Sequence, residues 1–343
     1  MKAMVLEKFN KPLKMKNVDI PKIGTNDILL KVKACGICGT DLKIVTGKIP
    51  SIKLPHIPGH EISGEIVEIG EGVKFFKKGD RTVSYIYDYC GKCKECLSGH
   101  TNLCKINKKR IGFELPGGLA EYVRIPSKNA IKIPRQIGYE EASVLTDSVV
   151  TSLHAMEEKA KINWKDVVLI IGIGGLGINQ VQIAKLWGAS VFACDIREDP
   201  LKIAKDFGAD LVINSSGLEI DEIVDRIKKM NSEKGVNVVL DNVGSEKTIN
   251  LSLNCLERGG RLVSIGYVPG EKAKLDLFKM HMNEWQVIGT RYSTIECLFE
   301  AVELVRLGKL KPYIGKILPF EEINYAYDLL SNHKVTGRIV IKI

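Results

Sequence analysis

Glutamine is nearly missing from this chain: four residues in 343, against 50 Lys and Arg and 41 Asp and Glu. A charged, glutamine-poor composition with abundant Lys, Glu and Ile points toward a hot habitat. No apolar run approaches the ~20 residues that a membrane-spanning helix needs, so no membrane partner is expected. The start of the chain, Met1–Asn10, reads as a strand and lacks the charged, apolar and small-residue order of a secretory leader, so the expected location is cytoplasmic. A basic tract is absent too. The net charge of +9 is spread over single lysines interleaved with glutamates, which argues against nucleic acid as a partner.

Aromatic residues make up 6% of the chain and hydrophobic ones 45%, the balance of an ordinary globular protein. The length allows two domains, each with its own core. Nine cysteines are present, and in a chain without a leader clustered cysteines favour metal binding over disulfides.

Up to about residue 150 the sequence is β-rich. Short apolar runs such as Ile28–Val32, Ile62–Ile69 and Tyr122–Ile125 alternate with Gly, Pro and Asp turn signals. From Val167 strands and helices alternate. Strands are expected at Val167–Ile171, Val191–Asp195, Leu211–Ile213, Val236–Leu240, Arg261–Ile265 and Gln286–Gly289, with helices between most of them. Asp199-Pro200 reads as an N-cap followed by a first-turn proline. Six strands in this rhythm predict a doubly wound parallel sheet over 149–289, a Rossmann dinucleotide-binding domain in an α/β chain. Residues 290–343 break the rhythm and are expected to rejoin 1–148.

Gly172-Ile173-Gly174-Gly175-Leu176-Gly177 directly follows the first of those strands and opens a helix. Gly172 permits a tight turn, Gly174 lets the backbone approach a pyrophosphate, and Gly177 lets the helix pack on the strand. The helix N-terminus then offers free N–H groups to phosphate. Asp195, with Ile196 and Arg197 after it, closes the second strand 18 residues beyond Gly177. A carboxylate there accepts hydrogen bonds from ribose hydroxyls and repels a 2′-phosphate, so NAD is favoured over NADP; Arg197 is the complicating basic neighbour.

Cys90, Cys93 and Cys96 are followed after seven residues by Cys104. Four thiolates at these spacings can close a tetrahedral zinc site with no open position, a structural role that would order a lobe with little core of its own. Three other segments carry candidate ligands: Cys35-Gly36-Ile37-Cys38-Gly39-Thr40-Asp41, Pro58-Gly59-His60-Glu61 and Leu145-Thr146-Asp147-Ser148. Each alone is unremarkable.

Together these features resemble the zinc-containing medium-chain alcohol dehydrogenase family. The stretch Gly59-His60-Glu61-x-x-Gly64-x5-Gly70-x-x-Val73 is similar to that family's zinc signature, and the four-cysteine lobe, the glycine loop and the Gly337-Arg338 strand also fit. The resemblance implies a GroES-like β-rich catalytic domain beside the Rossmann domain, two zinc ions per chain and NAD(H). It implies catalytic-zinc ligands Cys38, His60 and Asp147, with Glu61 able to enter or leave coordination. It implies that Thr40 hydrogen-bonds the substrate oxygen and passes its proton to the nicotinamide ribose, that Thr151, Ile265 and Gly266 line the nicotinamide, and that Arg338 approaches the pyrophosphate. A dimer or tetramer is implied, with Arg261–Gly289 as the interface.

Two positions depart from the family pattern. Asp147 replaces the commoner cysteine ligand, which implies looser zinc retention, exchange with cobalt or manganese, and a tilt toward secondary alcohols. Lys43 stands where the family often has the histidine that ends its proton relay. The expected reaction is hydride transfer between NAD(H) and an alcohol or carbonyl compound. A polyol, sugar or L-threonine-type dehydrogenase on the same scaffold is the main alternative. A zinc-free quinone or enone reductase and a non-catalytic nucleic-acid-binding protein are the remote ones.

Overall fold

The computed structural model describes all 343 residues and divides into two units, Met1–Val150 with Ser293–Ile343, and Thr151–Tyr292. The first unit is built on the long strand Asp27–Ile37. It pairs antiparallel with Glu61–Ile69 along its length, with Tyr122–Pro126 over residues 27–31, and with Arg338–Lys342 over residues 34–37. Arg81–Ser84 and Ala130–Lys132 extend the sheet on one side, and Ile314–Pro319 pairs parallel to Arg338–Lys342 on the other. The last strand of the chain therefore lies directly beside the segment that runs into Cys38, as Ile339 is in register with Ile37.

The second unit is a six-stranded parallel sheet in the order Leu211–Asn214, Ser190–Asp195, Val167–Ile171, Val236–Asp241, Leu256–Ser264, Gln286–Gly289. The central strands are near-continuous aliphatic runs because both faces are covered by helices. Strand order reverses between Val167–Ile171 and Val236–Asp241, and the crevice outside the strands' C-terminal ends at such a reversal is where dinucleotides bind in this topology.

Two local readings are corrected. The helix expected to start after Asp199 covers Glu198–Asp206 with Arg197 as its N-cap, so Pro200 sits at its third position. The Arg197 N–H, held 3.0 Å from Asp195 Oδ1, turns the chain earlier, and a first-turn proline forfeits no helical hydrogen bond wherever it falls in that turn. The helix Leu277–Asn283, which the strand-and-helix rhythm did not mark, fills the last crossover and buries none of its side chains.

Candidate active site

In the first unit the strand Asp27–Ile37 delivers Cys38 to the N-cap of the helix Gly39–Val45. Cys38 Sγ accepts the Thr40 N–H at 3.2 Å, and Asp41 Oδ2 accepts the Cys38 N–H at 2.9 Å. This capping box with sulfur in place of a hydroxyl fixes the thiol. Gly59, at φ +97°, turns the next segment in. A Cβ there would lie 2.8 Å from both Cys35 Sγ and Leu119 N, so glycine alone lets His60 and Glu61 enter. Glu61 is paired in register with Gly36, where a Cβ would stand 2.2 Å from Glu61 Oε2. Asp147 comes from the π-helical turn Leu145–Val149, and such turns re-aim side chains relative to a regular helix.

The donor atoms of Cys38, His60, Glu61 and Asp147 all lie within 4.8 Å of one another. Cys38 Sγ is 3.3 Å from His60 Nε2. Behind the histidine, Asp41 Oδ1 lies 3.4 Å from Nδ1, the arrangement by which a carboxylate orients a metal-bound imidazole. Cys38, His60 and Glu61 are buried, whereas the Asp147 side chain is 17% exposed. Burial pushes the Cys38 thiol up, with His60 opposing. Burial pushes Glu61 up to about 8 although Arg338 and His60 pull it down. Burial also works against a charged His60, but Asp41 and Cys38 outweigh it and hold the imidazole well above its ordinary value. Both Glu61 carboxylate oxygens and His60 Nδ1 are buried without an aligned hydrogen-bond partner. One sulfur, one nitrogen and two carboxylates converging on a point with unspent acceptor capacity suit zinc.

Arg338, expected to approach the pyrophosphate, sits beside the metal ligand set. Its guanidinium is buried; Nε stands 2.9 Å from Glu61 Oε1, and Nη2 donates to Asp147 Oδ2. The register of the last strand explains this, because it puts residue 338 beside Cys38. Arg338 is the counter-charge of a site otherwise crowded with anions.

The second cysteine set also converges. Sγ atoms lie 3.5 Å apart for Cys93 and Cys96, 3.9 Å for Cys90 and Cys96, and 3.9 Å for Cys93 and Cys104. A regular tetrahedron with zinc–sulfur bonds of ~2.3 Å has edges of ~3.8 Å, so the spacing fits the ion. The N–H groups of Lys92 and Cys93 point at Cys90 Sγ, and those of Cys90 and Asn107 at Cys104 Sγ. The Lys92 N–H, followed by that of Cys93, brings Cys90 down to about 6.

In the second unit Gly172 adopts φ +85°, and a Cβ on Gly177 would sit 2.3 Å from the Gly172 carbonyl oxygen. Gly174 faces open space, and the helix Gly177–Leu186 has Leu176 as its N-cap without a side-chain cap, its Ile178 N–H bonding the Gly174 carbonyl at 3.2 Å. Asp195 accepts from the Ile173 N–H at 2.8 Å through Oδ2 and from the Arg197 N–H through Oδ1. Arg197 Nε lies 4.0 Å from the same carboxylate, and Ile196 is exposed beside it. Ile265 and Gly266 follow the strand Leu256–Ser264, and both N–H groups are held by the Asp241 carbonyl. Thr151 is buried in the short helix Val150–Leu153.

Known proteins carry the same organisation. Residues 24–135 match the alcohol dehydrogenase GroES-like domain and residues 175–306 the zinc-binding dehydrogenase domain. The chain is 38% identical to the NAD-dependent alcohol dehydrogenase of Sulfolobus acidocaldarius and 37% identical to an alcohol dehydrogenase of Geobacillus stearothermophilus, each over 100% of both chains. The chain belongs to the zinc-containing alcohol dehydrogenase family. A member of known structure, the acetophenone reductase of Geotrichum candidum in complex with NAD, superposes with a TM-score of 0.89 at 34% identity, covering 100% of this chain and 97% of that one. The protein is thus a zinc-dependent alcohol oxidoreductase of two-domain α/β fold, with zinc and NAD(H) as its cofactors.

Within this alcohol dehydrogenase, sequence reasoning passed over Asp41 as a functional residue. Its signal was present: an acid three residues after Cys38, at the position that closes a capping box. It also passed over Asn242 and Gln180, a half-buried and a buried amide whose partnership no local motif announces.

Proposed function

We propose that this enzyme interconverts secondary alcohols and ketones with NAD(H), and that Cys38, His60 and Asp147, with Glu61 at hand, hold its catalytic zinc. The convergence of those four donors within 4.8 Å carries the reading. Bound there, zinc supplies a Lewis acid that acidifies an alcohol hydroxyl, and NAD supplies the hydride acceptor. The chain's own groups do the rest. Asp41 holds the His60 ring so that Nε2 faces Cys38. Thr40 is tied through its N–H to the Cys38 sulfur beside the ligand set; its hydroxyl would accept the substrate proton while passing its own on to the nicotinamide ribose. Arg338 offsets the surplus carboxylate charge. Asp147 in place of a thiolate makes the outer ligand a carboxylate, held less firmly by a borderline metal.

Cys90, Cys93, Cys96 and Cys104 hold a second, structural zinc. Asp195 selects NAD over NADP. Thr151, Ile265 and Gly266 line the nicotinamide. A second copy of this chain completes the free edge of the parallel sheet at Gln286–Gly289, beside the exposed Leu277, Phe278 and Met282, giving a dimer or tetramer. A cytoplasmic location is supported by nine cysteines that form no disulfide.

The test joins metal analysis to a substrate panel. Two zinc ions per chain and higher kcat/KM for secondary than for primary alcohols or polyols are expected. Cys38→Ser and His60→Ala abolish turnover while NADH still binds; full activity in either variant, or a clear preference for polyols, overturns the reading.

A further inference from the structure

Asn242 follows the central strand Val236–Asp241, and Gln180 lies on the first turn of the glycine-loop helix. The two amides bond reciprocally: Asn242 Nδ2 donates to Gln180 Oε1 at 2.8 Å, and Gln180 Nε2 donates to Asn242 Oδ1 at 3.0 Å. The second proton of Asn242 Nδ2 goes to the Gly172 carbonyl at 3.0 Å. This network fixes the orientation of both amides, since turning Asn242 over would set its oxygen against the Gly172 oxygen. Gln180 is fully buried and Asn242 half-buried, so the Gln180 amide depends on Asn242 for bonds that water cannot supply. Asn242 is itself pinned, its N–H to the Ile171 carbonyl at 3.0 Å and its own carbonyl 2.1 Å from where a Cβ on Gly266 would be.

The Gly172 carbonyl is the pivot of the loop. A Cβ on Gly177 would lie 2.3 Å from it, so the oxygen and the helix start are in close contact, and moving one moves the other. On the outer side of the loop the Ile173 N–H donates to the Asp195 carboxylate. On its inner side the Asn242 side chain adds to the bond from the Asn242 N–H to Ile171 across the strand-order reversal, and reaches the Gly172 carbonyl itself.

We propose that Asn242 and Gln180 are positioning residues for the pyrophosphate: the pair locks the Gly172 carbonyl and so sets the glycine loop and the start of the helix Gly177–Leu186. Neither side chain need touch the cofactor. Asn242 is the working member and Gln180 its orienting partner.

The experiment measures NADH binding by fluorescence, which is independent of turnover, together with KM for NAD and kcat. Asn242→Leu and Gln180→Met remove the polar atoms at similar size. Loss of one buried hydrogen bond to the loop is expected to weaken NADH about tenfold in Asn242→Leu. A smaller loss of about two- to threefold is expected in Gln180→Met, where Asn242 can still reach Gly172. The double variant is expected to be no worse than Asn242→Leu, the signature of a shared role. KM for NAD rises by a larger factor than kcat falls. Asn242→Ser serves as the second variant where leucine prevents folding. A folded Asn242 variant that binds NADH within about twofold of the parent overturns the proposal and leaves the pair a packing feature. Failure of the parent itself to bind NADH would instead count against the cofactor assignment.

Discussion

Asp195 illustrates how much a single side chain is asked to do. Each of its oxygens already accepts one backbone N–H, from Ile173 and from Arg197, and each keeps a lone pair for a ribose hydroxyl. Asp195→Ala is expected to lower NAD preference at least about tenfold, measured as the ratio of kcat/KM for NAD and NADP, because the repulsion of a 2′-phosphate disappears and Arg197 remains. An unchanged ratio sinks the assignment. Arg338 makes the opposite point. Replacing it with Met keeps volume but leaves Glu61 and Asp147 as uncompensated neighbours, and breaking a buried pair costs about 3–5 kcal/mol. Urea unfolding of Arg338→Met should show that loss, and unchanged stability would refute the counter-charge role. The convergence of Cys38, His60, Glu61 and Asp147 was legible in the sequence because ligand chemistry restricts residue type. The location of Arg338 was not legible, since it depends on a strand register between residues more than 300 positions apart.

Among the elements, most Rossmann strands could be read almost residue for residue; the fifth, read from Arg261, begins at Leu256. Their aliphatic runs end on glycine or acid, and a buried parallel strand leaves little freedom in composition. The helix Gly39–Val45 escaped notice because it is short, sits between turn residues and is capped by a cysteine, a residue outside the usual N-cap set. The four-cysteine lobe is the element with least packing of its own: its helix Lys94–Leu97 buries nothing, and Leu97 and Ile106 are exposed. Cys104→Ser is expected to open this lobe to limited proteolysis between residues 90 and 107 while the parallel sheet, followed by NADH binding, persists. Equal protease resistance in parent and variant would show that the lobe holds without its metal.

At the scale of the molecule, the exposed edge strand Gln286–Gly289 and the unburied helix beside it mark a surface that a lone chain leaves uncovered. A charged residue on an edge strand blocks strand pairing, so Val287→Lys is expected to reduce the mass seen by light scattering by a factor of two or more. A parent that is already monomeric removes that reading. Composition gave no access to this level: an interface is a matter of which apolar side chains are left outside, and that is decided only once the fold is complete.

The position of Arg338 on the final strand also bears on the order in which the protein is made. The second unit, residues 151–292, is one uninterrupted stretch. The first unit is not: its candidate ligands lie near residues 38, 60 and 147, while their balancing cation, Arg338, comes after the whole of the second unit. A growing chain therefore has every strand of the nucleotide fold before the cluster of acids and thiol is neutralised. The charge-balanced metal site is completed only when the residues that follow the second unit have folded back onto the first, so the two halves of the chemistry mature one after the other.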